Sequence, residues 1–171
     1  MLKGFGILCI VMGCSGLGWY AVSRYTTRLR MLSELEQALQ FLYGEIEYSG
    51  CDIIELLDKL ALRGDSFWKL WSDVEKGLQN YDGQGFFYHW KNGVEGVAGV
   101  ECLKREDVEL LLAIGENIGN TDRQTQLHTL HIFQERLHGI LLQAKAEYRE
   151  RAKVSVVVGI TAGLFLALLL V

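Results

Sequence analysis

The sequence predicts an all-helical protein, a six-helix cytoplasmic bundle flanked by N- and C-terminal transmembrane helices. Three observations predict it. The chain contains no proline, so no helix interior is interrupted by the residue that removes a backbone donor and clashes with the preceding turn. Leucine, glutamate and glutamine recur at three- and four-residue spacing, and runs of alternating polarity, which strands need, are hard to find. Both ends are apolar. Residues 4–23 are twenty positions without a charge and residues 154–171 are eighteen more, each about 27–30 Å long as a helix, the thickness of a bilayer core.

The charges beside these stretches orient them. Arg24, Arg28 and Arg30 follow the first, Arg149, Arg151 and Lys153 precede the second, and only Lys3 lies outside. Positive charge is retained on the cytoplasmic side, so the chain divides into a transmembrane helix at 1–23, a cytoplasmic bundle at 24–153 and a transmembrane helix at 154–171. The intervening length suffices for one compact core.

The formal net charge of −4 conceals an asymmetry: residues 31–148 hold ten Lys and Arg against twenty Asp and Glu, or −10. Such a domain repels phosphate backbones, which excludes nucleic acid as a partner. The basic flanks suit anionic membrane lipid, and the acidic body suits a partner with a basic surface. The four cysteines, Cys9, Cys14, Cys51 and Cys102, form no CxxC pair, which fits a reducing compartment. Val11-Met12-Gly13-Cys14 is close to a lipoprotein processing site, and Ala21-Val22-Ser23 loosely resembles a cleavage site. The apolar stretch continues past Cys14, however, and its positive charge follows it where a signal peptide carries charge in front. The favoured reading is an uncleaved anchor, with a signal-peptide-processed lipoprotein as an alternative.

In order along the chain, Leu29, Leu32, Leu35, Leu39, Leu42 and Ile46 keep helical spacing, so the first membrane helix runs on as an amphipathic helix until Ser49-Gly50. Asp52 and Glu55 read as a capping box for a second helix over 53–62, closed by Gly64. A third starts at Asp65 or Ser66 and carries Phe67, Trp68, Leu70, Trp71, Val74 and Leu78. Residues 80–85 are a turn cluster. An aromatic fourth helix covers 86–94, and a fifth covers 102–118 with Val108, Leu111, Leu112 and Ile114 as its buried side. The last begins at Thr121, which with Gln124 reads as a second capping box, and nothing interrupts it to Val171. The first and last helices must then lie side by side, because both reach one membrane face.

Chemistry-bearing motifs are sparse. No GxSxG, GxxxxGK[ST] or GxGxxG signature occurs, and paired carboxylates such as Glu106 with Asp107 sit where a solvated helix face is expected. No catalytic residue, cofactor or metal ligand is assigned. His128, His131, Glu135 and His138 form one stripe away from the apolar face of Leu130, Phe133, Leu137, Leu141 and Ala144; this reads as surface, and a membrane-tethered metal-sensing protein is the alternative. Phe67, Trp68, Trp71, Phe86, Phe87 and Trp90 read as core with a little exposed interface. Gly159 and Gly163 form GxxxG, and Gly6, Gly13, Gly16 and Gly18 line the first span; both favour packing within the membrane, with which a homo-oligomer is compatible.

Residues 111–126 carry the most specific pattern. A helix ends in a Gly-x-x-x-Gly pair, Gly115 and Gly119, and Asp122-Arg123-x-x-Gln126 opens the next. This closely resembles the signature of the stage III sporulation protein AB family of endospore-forming bacteria. The start Met1-Leu2-Lys3, Tyr25-Thr26 with Arg28, and the run from Leu35 through Ala38, Leu39, Gln40, Leu42 and Glu45 to Ile46 match as well. The resemblance implies a non-enzymatic membrane component of the sporulation channel in the mother-cell membrane around the forespore. It also implies likeness to the cytoplasmic helical domain of type II secretion and type IV pilus inner-membrane platform proteins. Partners would be a cytoplasmic secretion-type ATPase and other membrane components of the channel.

The motif has a physical reading of its own. Gly115 and Gly119 lack side chains where the fifth helix ends, Thr121 caps the sixth, and Asp122 adds negative charge at that helix's positive end. Arg123 is expected to pair with an acidic residue. A structural turn is the plain reading, and a docking loop built from Gly115, Gly119, Asp122, Arg123 and Gln126 is the functional one.

Overall fold

The structure, a computed structural model, describes the backbone of residues 2–80, 83–118 and 122–170. It describes side chains over 23–151 apart from 81, 82 and 119–121, and those of Lys153, Val154, Val158 and Thr161. Among the described residues six α-helices run in order: α1 (Leu2–Tyr48), α2 (Ile53–Ala61), α3 (Trp68–Gln79), α4 (Phe86–Glu95), α5 (Arg105–Ile118) and α6 (Arg123–Leu170), with a 3₁₀ turn at Val100–Cys102. No strand occurs among the described residues. The expected all-helical class and the number of helices are both present.

The frame is the antiparallel pair of α1 and α6, 47 and 48 residues long. Their register is set by side chains spaced along the whole seam. Gln134 donates to the Leu39 carbonyl at 3.0 Å, His138 meets Glu36 at 2.8 Å, and Glu147 meets Arg28 at 3.2 Å. The Arg151 guanidinium stacks 5.9 Å from the Tyr25 ring centroid. Between these ties lies an apolar seam of Leu32, Leu35, Leu39 and Leu42 with Leu130, Leu137 and Leu141, each almost fully buried.

The four shorter helices cover one side of this frame. Asp52 caps α2, its carboxylate accepting from Ile53 N–H at 2.8 Å; Glu55 pairs with Lys59 at 3.0 Å and does not close a capping box. Gly50 and Gly64 take positive φ at the two ends of this segment, where the sequence places its breaks. The connection before α3 is pinned to α1: Ser66 N–H donates to Glu34 at 2.9 Å. Phe67, Trp71 and Trp90 fill the centre of the core, and the Trp71 and Trp90 rings pack 5.5 Å apart. Trp68 and Phe87 are exposed, so the aromatic set divides into core and surface as expected.

Two expectations are corrected. The fifth helix starts at Arg105, three residues after its expected Cys102, because Leu103 is extended and Lys104 occupies the cap; the Lys104 N–H donates to Asp107 Oδ2 at 2.8 Å. Its buried face is Asp107, Leu110, Leu111, Ile114, Gly115 and Ile118, with Val108 and Leu112 only partly covered. Asp107 is therefore not on a solvated face. It is 2% exposed beside Arg28, itself 3% exposed.

Among the described residues no helix is long and apolar enough to cross a membrane. The spans expected at 1–23 and 154–171 fall almost entirely on side chains outside the described set, as do Cys14, the glycines of the first span, and Gly159 with Gly163.

Candidate functional site

The helix-turn-helix segment at 111–126 gathers four of its five candidate residues at or near the end of the bundle remote from Tyr25 and Arg151; Gly119 lies outside the described residues, as do Asn120 and Thr121. Gly115 lies inside α5, one turn before its end. A Cβ there would stand 2.1 Å from Cδ1 of Trp90, so the indole of α4 occupies the space a side chain would need. The same indole donates from Nε1 to the Leu111 carbonyl at 2.9 Å. Glycine is required at 115 to bring α4 onto α5 and let Trp90 reach that carbonyl.

Asp122 caps α6. Its carboxylate accepts from Thr125 N–H at 2.9 Å and from Thr125 Oγ1–H at 2.8 Å, satisfying donors that the first turn of a helix leaves open. The Thr125 backbone N–H and hydroxyl together hold this carboxyl below the usual carboxylate range, against a weaker opposing effect of burial. The helix thus begins at Arg123 with Asp122 as its cap. The cap was expected one residue earlier.

Among the described residues Arg123 does not pair with an acidic side chain. Its Nε donates to the Ile46 carbonyl at 2.9 Å, and an Nη donates to the Glu47 carbonyl. Both carbonyls belong to the last turn of α1, where the helix has no partners of its own and the dipole is negative, so a guanidinium is the natural terminator. Gln126 does the same for α5, donating from Nε2 to the Ile118 carbonyl at 3.0 Å. Asp122, Arg123 and Gln126 therefore finish three helices at one junction: α6 at its start, α1 and α5 at their ends. Reading the sequence as a charge pattern misses this, because the partners are carbonyls and leave no trace in composition.

The other candidate constellation does not assemble. His131 lies 3.6 Å from Glu135 and His138 2.8 Å from Glu36, with both histidines and Glu135 exposed and Glu36 half-buried, and no group of three or more metal-type side chains converges among the described residues. Acidic side chains elsewhere on the body are engaged within it: Glu34 accepts from Ser66, Glu55 pairs with Lys59, and Glu109 with Arg105 at 2.7 Å. The arrangement described joins helices.

Comparison with known proteins agrees with the motif. The family model described as stage III sporulation protein AB matches residues 3–171. The stage III sporulation protein AB of Bacillus subtilis (strain 168) is 27% identical over 175 aligned positions, covering 99% of each chain. A solved structure described as stage III sporulation protein AB (SpoIIIAB) superposes with a TM-score of 0.63 at 22% identity, covering 72% of this chain and 97% of that one, which shows a shared fold. With the family model spanning nearly its whole length, this chain belongs to the stage III sporulation protein AB family, which is not a known enzyme family and supports a role for it in the sporulation complex.

Proposed function

We propose that this protein is a non-enzymatic membrane scaffold of the secretion-like channel in the mother-cell membrane around the forespore, where it anchors or couples a cytoplasmic ATPase. The observation that carries the proposal is the antiparallel register of α1 and α6. Pairing Arg28 with Glu147 and Tyr25 with Arg151 brings both long helices to the same end of the bundle. Beyond that pair each sequence becomes apolar for the length of a bilayer. Two parallel exits of this kind suit a cytoplasmic body tethered twice to one membrane face.

The junction of α1, α5 and α6 lies at the opposite end, facing away from that membrane. A motor bound there would meet Tyr48, 83% exposed immediately after the carbonyls held by Arg123. The domain's excess of acid would favour a basic partner surface. Its test is co-purification of the full chain from sporulating cells with the channel ATPase. Retention by the wild-type chain and loss in Tyr48→Arg, with unchanged thermal unfolding, supports the coupling; a wild-type chain that retains no ATPase removes it.

A further inference from the structure

At the other end of the bundle lies a set of charges that the proposed docking does not use. Arg28 Nε and an Nη donate to the two carboxylate oxygens of Asp107 at 2.7 and 2.9 Å. The remaining guanidinium N–H groups reach Glu147 on α6 at 3.2 Å and Glu106 at 3.3 Å. Lys104 adds a second link, with its Nζ 2.6 Å from Glu147. The Asp107 hydrogen bond outweighs burial in keeping the Arg28 guanidinium charged. No buried side-chain nitrogen or oxygen among the described residues lacks a partner. Side chains of α1, α5 and α6 thus converge at the last level before Tyr25 and Arg151.

A buried ion pair adds little net stability over an apolar pair of similar volume, and its best-attested use is to fix register. The surroundings here need such a device. The layers next to it are Leu32, Leu35, Leu141 and Ala144, whose non-directional contacts tolerate a shift of one helix along the other. A planar guanidinium held in bidentate fashion does not. Sliding α6 by one turn, ~5.4 Å, carries Glu147 out of reach of Arg28 and Lys104 together.

We propose that the Arg28–Asp107–Glu147 network is a register lock, which sets the axial position of α6 against α1 where both leave the bundle and couples any shift between them to the start of α5. The test uses the full chain in lipid nanodiscs, with Cys9, Cys14, Cys51 and Cys102 replaced by Ser and spin labels on Ser23→Cys and Lys153→Cys. Electron–electron double resonance reads the distance between the labels. The wild-type network gives one narrow distance peak. Arg28→Met with Asp107→Leu keeps the helix content and the unfolding midpoint but splits or broadens that peak. Glu147→Ala, which leaves the Arg28–Asp107 pair in place and removes only the arm to α6, broadens it too. A peak as narrow as wild type in folded forms of these variants overturns the lock; if the paired variant does not fold, Glu147→Ala decides alone.

Discussion

Arg123 on the first turn of α6 ends α1: its guanidinium takes the Ile46 carbonyl at 2.9 Å and the Glu47 carbonyl beside it. An exposed-looking arginine in a turn is thereby a tie between the first and last helices. Arg123→Glu removes both hydrogen bonds and sets a carboxylate against the negative end of α1. A loss of about 1–3 kcal/mol is expected in urea unfolding, more than an ordinary surface turn would show, with Arg123→Lys intermediate. A variant as stable as wild type would return Arg123 to the surface.

Gly115→Ala tests the junction from the α5 side. A methyl group 2.1 Å from the Trp90 ring forces α4 away from α5, and overpacking of this kind costs about 1–3 kcal/mol. The near-ultraviolet circular dichroism of Trp90 should change with it. An unchanged spectrum and midpoint would show that the ring has room to move.

Removing Asp107 alone takes from the buried Arg28 its bidentate partner and leaves it only the part-exposed Glu106 and Glu147. Asp107→Leu is expected to cost about 3–5 kcal/mol, whereas its combination with Arg28→Met recovers most of that loss. Thermal unfolding of the four forms of this cycle checks it, and a single substitution no worse than the pair would contradict a desolvated ion pair.

The Asp122 carboxyl, held low by Thr125, makes the fold acid-sensitive with a definite sign. A carboxyl whose folded pKa is depressed contributes stability above its unfolded pKa and loses it as pH falls through the folded value. Asp122→Asn, still able to accept from Thr125, should flatten that acid limb. Asp65 opposes the trend, because burial raises its carboxyl despite the bond from Phe67 N–H, so it favours the fold as pH falls. An identical acid limb in Asp122→Asn would remove Asp122 as a contributor.

The histidine stripe should be inert to metal. Replacing His128, His131 and His138 by Gln shifts stability by less than about 1 kcal/mol, and elemental analysis of the purified wild-type chain finds no stoichiometric zinc. Bound zinc at one equivalent would revive metal sensing.

The helices were legible because their signals are local. Gly50 and Gly64 mark ends, Asp52 marks a start, and the stripe of Leu130, Phe133, Leu137, Leu141 and Ala144 is buried as its phase predicts. The Arg28–Asp107 pair was not, since charge was read as exposure. Its phase carried the signal: Arg28 stands two turns before Leu35 on the same face, and Asp107 one turn before Leu110 and Leu111. For the 115–126 motif the sequence singles out Gly115, Asp122, Arg123 and Gln126 but not their contacts. Carbonyls of α1 and the indole of Trp90 are distant in the chain, and no local pattern names them.

In the proposed topology the helical body is held at one membrane face by both its ends. Cys51 and Cys102 report on it directly, both partly accessible and both free. With Cys9 and Cys14 replaced by Ser, intact sporulating cells treated with a membrane-impermeant maleimide should leave both residues unlabelled, and permeabilised cells should show both labelled. Labelling of Cys51 or Cys102 in intact cells would place the bundle outside the cytoplasm and contradict the account.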